Sequence, residues 1–291
     1  MKRRRFLTIA AALLACPAGA TEADFVWTGT GFGGALSLRL SGLAPAQAPR
    51  LTHRITQEVA RLEGLFSLFR NSALTRLNRD GHLAGPPPDL LALLRLARQV
   101  HEATDGAFDP SVQPLWQAIA TGGDSAAARG RVGLSQLRLS DREIRLGPGQ
   151  ALTLNGIAQG WAADRIAGLL RDAGFGPALI DMGEIAAVGP RPDGTPWQVA
   201  LAGPEGQVLG RARLEDRALA TSAPRGTLIG ADHQPHILGP QGQSPLWRTV
   251  SVSAPSAALA DALSTAFCLM PRARIDRALT AFPGTRLELL A

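Results

Sequence analysis

Asp261 and Thr265 stand four residues apart in "SVSAPSAALADALSTAF", a run whose apolar spacing predicts a helix. Residues at i and i+4 share one helix face, so a carboxylate and a hydroxyl there can reach one ion together. That is hard oxygen ligation of the kind Mg²⁺ accepts, with positions left for water or phosphate oxygens. Two upstream stretches could join them. "HEATDGAFDPSV" packs Asp105, Gly106 and Asp109 into a helix-to-loop transition. It reads either as a helix stop built from turn-forming residues or as a loop whose backbone and Asp109 carboxylate hold a polar ligand. "LNGIAQGWAAD" follows "ALTL", read as a strand, and opens a helix, where free N–H groups form a natural phosphate site. Its two glycines, Gly156 and Gly160, match neither a Walker loop nor a GxGxxG fingerprint. Tight packing of the turn is the competing reading.

Other residues carry weaker chemistry. His236 in "QPHILGP" is a loop imidazole; His233 is near it, but no Cys or acid at metal spacing supports a zinc site. Ser222 in "ALATSAP" ends a predicted strand, and no G-x-S-x-G surrounds it, which argues against a hydrolase elbow. "FSLFRNSALTRLN" sets Phe66 and Phe69 among Ser67, Arg70, Ser72 and Asn78. The rings suit core packing, or a surface for stacking a flavin or adenine.

The elements that must position these residues are legible from periodicity. Residues 25–40 read as strand, glycine turn and strand, with Leu36, Leu38 and Leu40 alternating. Helices are predicted over 47–65, from Pro88 to Gly106, over about 157–174 and over 256–270 with Ser256 as N-cap. Residues 122–150 read as a loop with short strands around "LRLSDREIRLG". "PALIDMG", "IAAVG" and "WQVAL" read as strands, with more to about 222, and a last helix and strand fill 272–290. Strands and helices interleave throughout, so an α/β or α+β fold is expected.

Composition narrows the class. At 291 residues and 45% hydrophobic, the chain has ample material for a core. "MKRRRFLTIAAALLACPAGATEA" has a basic start, a short apolar run and small residues at Ala18 and Ala20, as in a secretory leader. Its Arg-Arg pair before Phe6 and Leu7 looks like a twin-arginine signal. Cleavage after Ala20 would divide the chain into a leader, 1–20, and a mature domain, 21–291, beginning at Thr21. The rival is a lipoprotein box in "LLAC", which would attach the protein to a membrane through Cys16. Loss of Lys2, Arg3, Arg4 and Arg5 takes the formal charge from +6 to +2, so nothing argues for nucleic-acid binding. Lys2 is the only lysine and tyrosine is absent, which excludes a Schiff-base lysine or a phenolic acid from the mature protein. Cys268, inside "STAFCLM", would be its one thiol.

Taken in order, these segments resemble the ApbE family of FAD:protein FMN transferases over nearly all of the mature chain. The family's motifs "S-x-[YF]-R…S…N", "GAFDPTV-x-PL", "D-L-G-x-I-A-K-G-x-A-x-D", "TSG", "H-I-x-D-P-x-T-G" and "A-D-A-L-x-T-A" follow a glycine-rich strand. Their counterparts here are "SLFRNSALTRLN", "GAFDPSVQPL", "LTLNGIAQGWAAD", "TSA", "HILGPQGQ" and "LADALSTAF", after "GFGGALSL". The resemblance implies a single ApbE-like domain of mixed sheets with interleaved helices. It implies Mg²⁺ on the FAD diphosphate, held by Asp261, Thr265 and a backbone carbonyl near Gly156. Phe32, Phe69, Ala107, Phe108 and Asp109 would line the FAD site, with Thr153, Gln159 and Ile237. His236 is the candidate for orienting or deprotonating an acceptor hydroxyl. The implied reaction moves FMN from FAD to a Thr or Ser of a periplasmic protein and releases AMP. FAD hydrolysis to FMN and AMP, or FAD carriage without catalysis, would use the same site. "DMGEIAAVG" looks like members linked to nitrous oxide respiration. The chain departs from the pattern at Thr153 and Gln159, at Ala223, and at Gly239, Gly242 and Gln243 in the His236 loop.

Overall fold

Every strand pairing among the described residues is antiparallel, which sharpens the expectation of mixed sheets. The computed structural model describes residues 24–291. The leader readings, with Lys2, Cys16 and Thr21, lie outside the described residues. In chain order the elements are β1 (Phe25–Gly31), β2 (Gly34–Leu40), α1 (Ala48–Phe66), α2 (Ala73–Asp80), β3 (His82–Ala84), α3 (Pro88–Ala103), α4 (Gln113–Thr121) and α5 (Ser125–Arg129). Then come β4 (Arg138–Leu139), β5 (Glu143–Arg145), α6 (Ala158–Asp172), β6 (Ala178–Asp181), β7 (Ile185–Val188), β8 (Trp197–Ala202), β9 (Val208–Leu214) and β10 (Ala218–Ser222). The chain ends with β11 (Leu228–Ile229), β12 (Gln234–Pro235), β13 (Val250–Ala254), α7 (Ala257–Phe267), α8 (Arg272–Leu279) and β14 (Arg286–Leu290).

Seven strands form the main sheet in the order β1-β2-β6-β7-β10-β13-β14. Because strand side chains alternate faces, β6, β7 and β10 each feed two cores. Leu36, Leu38 and Leu40, with Ile180, Val188, Val250 and Val252, pack with residues of α1, α3, α6 and α7. Leu179, Ile185, Ala187 and Leu219 point the other way and are covered by Trp197, Val199, Leu201, Ala212 and Leu214 of the β8–β9 hairpin. That two-sided burial explains why these strands read as nearly continuous apolar runs.

Several elements differ from the periodicity reading, among them the short helix α5, which falls within the loop expected over 122–150. Residues 151–154 pair with no strand. The side-chain amide of Asn78 takes the place of a neighbour, donating to Leu152 O and accepting from Leu152 N–H, both at 2.8 Å. Helix α2, not foreseen, starts at Ser72, whose hydroxyl accepts from Thr75 N–H while Thr75 accepts from Ser72 N–H. Helix α4, also unforeseen, has proline in its first turn and stops at Gly122, which has φ 73°.

Candidate functional site

Helices α6 and α7 meet closely because position 160 is glycine: a Cβ there would strike the Ala257 backbone carbonyl. Asp164 of α6 caps α7 directly, accepting from Ala257 N–H at 2.7 Å, Ala258 N–H at 2.9 Å and the Ser256 hydroxyl at 2.7 Å. The N-cap foreseen at Ser256 is present, its Oγ accepting from Leu259 N–H at 3.3 Å. One turn further, Asp261 is buried at 3% exposure and accepts from Gly160 N–H at 3.2 Å. Burial pushes the Asp261 carboxyl up to about 7; the Gly160 N–H opposes that rise and the Asp164 charge adds to it.

Thr265 completes the helix face, and Gly156 approaches it from the segment before α6. A Cβ on Gly156 would come within 2.8 Å of Thr265 Oγ1, so only a bare backbone fits against that hydroxyl. Asp261, Thr265 and Gly156, separated widely in sequence, therefore converge. The donors on offer are a carboxylate, a hydroxyl and backbone oxygen, a set that fits Mg²⁺. Among the described residues, no group of three His, Cys, Asp or Glu side chains is placed to hold a metal. A set with one carboxylate is consistent with that.

Three neighbours of this cluster went unforeseen as a group. Ser222, at the end of β10, hydrogen-bonds Ser264 Oγ at 2.8 Å and lies 3.4 Å from Thr265 Oγ1. Glu184, in the turn between β6 and β7, accepts from Thr221 N–H at 3.2 Å. Burial, and then the Asp261 charge, hold the Glu184 carboxyl well above the usual carboxylate range. Gln159 joins the two regions, its amide lying against Gly183. Sequence spacing carries no signal for Glu184, since the contact runs between strands.

The remaining residues fall into linked groups. Thr153 N–H donates to Pro110 O at 2.8 Å, which ties the segment before α6 to the loop of Ala107 and Phe108, both buried. Asp109 directs its carboxylate to its own loop and to the segment before β4, accepting from Ser111 N–H at 2.8 Å, Ser111 Oγ at 2.6 Å and Leu134 N–H at 3.3 Å. Its observed work is to shape the loop. Phe32 sits in the β1–β2 turn with φ 51°, and its N–H donates to Glu63 Oε1 at 3.1 Å. Arg70 lies 3.3 Å from Glu63 Oε2, so one buried carboxylate anchors both the Phe32 turn and the loop carrying Phe69. Phe69 is 73% exposed. Phe66, in contrast, belongs to the core.

His236 follows β12, and Ile237 beside it is buried. Its Nδ1 lies 2.9 Å from Pro224 O and 3.2 Å from Thr227 O. Carbonyls only accept, so the proton resides on Nδ1 and Nε2 keeps its lone pair. Burial lowers the His236 pKa below the ordinary imidazole value, against the pull of the two carbonyls. The chain from Ser222 to Pro224 connects this imidazole to the Thr265 end of the site.

The molecule is thus an α/β protein with an oxygen-donor site built at a helix junction and a neutral imidazole held nearby. A model of the ApbE family matches residues 32–287, and the chain belongs to that family. The FAD:protein FMN transferase of Salmonella typhimurium is 27% identical over 279 residues, spanning 86% of this chain and 80% of that protein. The protein of the same name from Vibrio cholerae is 27% identical over 255 residues, spanning 79% and 76%. Among solved structures, the apo flavinyl transferase ApbE of Pseudomonas stutzeri is similar with TM-score 0.75 and 26% identity, covering 89% of this chain and 87% of that one. The ApbE protein of Thermotoga maritima shares the fold with TM-score 0.79 at 24% identity, covering 92% and 94%.

Proposed function

We propose that this protein transfers FMN from FAD to a Thr or Ser hydroxyl of a partner protein and releases AMP. The observation that carries the reading is the meeting of Asp261, Thr265 and Gly156 at the α6–α7 junction, joined through Ser222 to the turn that holds His236. Mg²⁺, when bound, would offset charge on the diphosphate. Asp261 and Thr265 would hold it, with the Gly156 backbone completing the protein's share. The loops of Phe32, Phe69, Ala107 and Phe108 would seat the FAD, with Thr153, Gln159 and Ile237. In the transfer step the acceptor oxygen bonds to the FMN phosphorus as the bond from that phosphorus to AMP breaks. The hydroxyl proton passes to His236 Nε2, and FMN remains on the acceptor as a phosphoester.

The leader supports export by the twin-arginine route to the periplasm, where the acceptor would be a flavoprotein. "DMGEIAAVG" supports one serving nitrous oxide respiration. Lipidation at Cys16 is the other fate the leader allows. Replacing Arg3 and Arg4 by Lys should retain the protein in the cytoplasm; unchanged periplasmic yield would refute that route.

The deciding experiment combines the protein with FAD, Mg²⁺ and a flavoprotein domain carrying a candidate Thr, then records the domain's intact mass. A gain of FMN minus water establishes transfer. Asp261→Ala should lower the rate about a hundredfold or more and remove the Mg²⁺-induced rise in Tm. AMP release with an unlabelled domain would make the protein a hydrolase, and bound FAD without turnover would make it a carrier.

A further inference from the structure

The His236 loop lacks the Asp of the family motif, which falls at Gly239 here, and its Thr-Gly pair is replaced by Gly242 and Gln243. The structure shows these changes to be geometrically coupled. Gly242 N–H donates to Gly239 O at 2.8 Å, closing a turn over residues 239–242. Gln243 folds back across that turn, and its Oε1 accepts from Gln241 N–H at 2.9 Å. A Cβ built on Gly239 would overlap Cγ, Cδ and Oε1 of Gln243. The volume a side chain at 239 would need is already filled, by an amide arriving from four residues on. Gly242 has φ 84°, and a Cβ there would come within 2.8 Å of Arg129 Nη2. The guanidinium of α5 thus lies over the turn from the other side.

We infer that Gln243 is a positioning residue that fills, from across the turn, the space a side chain at 239 would take and so fixes the loop carrying His236. Its amide braces the turn that follows His236 and Ile237, through Oε1 on Gln241 N–H. Positions 239 and 243 then form a coupled pair: a side chain at 239 requires the Gln243 amide to leave its place on the turn. This inference rests on the transferase reading above.

The test measures FMN transfer by the purified full chain with FAD and Mg²⁺, read as intact mass. The probe is an acceptor domain labelled by the Vibrio cholerae flavin transferase. Gln243→Gly and Gly239→Asp should each lower kcat about tenfold or more, because small displacements of reacting groups are costly. FAD affinity, followed by flavin fluorescence, should stay within about twofold for both. The double variant Gly239→Asp with Gln243→Gly should recover to within about threefold of the wild-type rate, a non-additivity that contacting residues show. Gln243→Glu keeps the stem and the acceptor oxygen, so it should retain transfer even if Gln243→Gly folds poorly. A double variant no better than the worse single one would overturn the inference, as would rate and FAD affinity falling together. Wild type that releases AMP and leaves the domain unlabelled would overturn the transferase reading and this inference with it.

Discussion

His236 is clamped by Nδ1 to two backbone carbonyls, so any proton it takes from an acceptor must arrive at Nε2. Replacing it with Ala should slow transfer by about 10²- to 10⁴-fold, the usual range for a general base, with FAD affinity nearly unchanged. Equal losses in both would make it a binding residue only. Its depressed pKa also has a sign. The imidazole stays neutral to lower pH than a free one, so at saturating Mg²⁺, which would hold Asp261 ionised, the acid limb of the transfer rate should fall below about pH 6.5. Stability follows the same direction: between the unfolded and folded pKa values the unfolded chain binds the proton first. Folding is therefore weakened as pH falls through that window. A rate profile whose acid limb lies above the ordinary imidazole value would contradict the burial argument. Sequence could nominate His236 and no more, because the two carbonyls come from residues nine and twelve positions earlier.

The α6–α7 junction shows how elements, rather than single residues, set the site. The cap from Asp164 and the bare backbone of Gly160 draw the helices together, and that approach aims Gly160 N–H at Asp261. Gly160→Ala should cost about 1–3 kcal/mol, because the obstacle is backbone that cannot turn aside. Thermal unfolding would show the loss, and Mg²⁺-induced stabilisation should weaken with it. A variant of unchanged Tm would mean that the helices can part without penalty. Helices α6 and α7 were readable from apolar spacing and from Ser256. Their closeness was not, since "GIAQGW" reads equally well as any tight turn. The false strand at 151–154 makes the same point: alternation at Leu152 and Leu154 is real burial, but the hydrogen bonds come from Asn78.

At the scale of the whole molecule, one sheet separates a large helical core from the smaller core under the β8–β9 hairpin. Cys268 lies fully buried in the larger one, and burial pushes its thiol far up. A thiol reagent should therefore leave the native protein unmodified and label it once denatured; rapid native labelling would indicate local opening around α7. The placing of Cys268 inside the apolar "STAFCLM" agrees with that burial, and the main helices and most strands are borne out. Those features were legible because they depend on local spacing: apolar period, cap residues and glycine stops act within one turn or one strand. The ordered motifs likewise carried the family. Tertiary structure alone decided which of the nominated residues meet. It brought Gly156 to Thr265 and added Glu184 and Ser222 to their surroundings. It turned the Asp109 carboxylate into its own loop and let Gln243 fill the place beside Gly239. Such contacts depend on how whole helices and strands approach one another, and no spacing along a single segment encodes that approach.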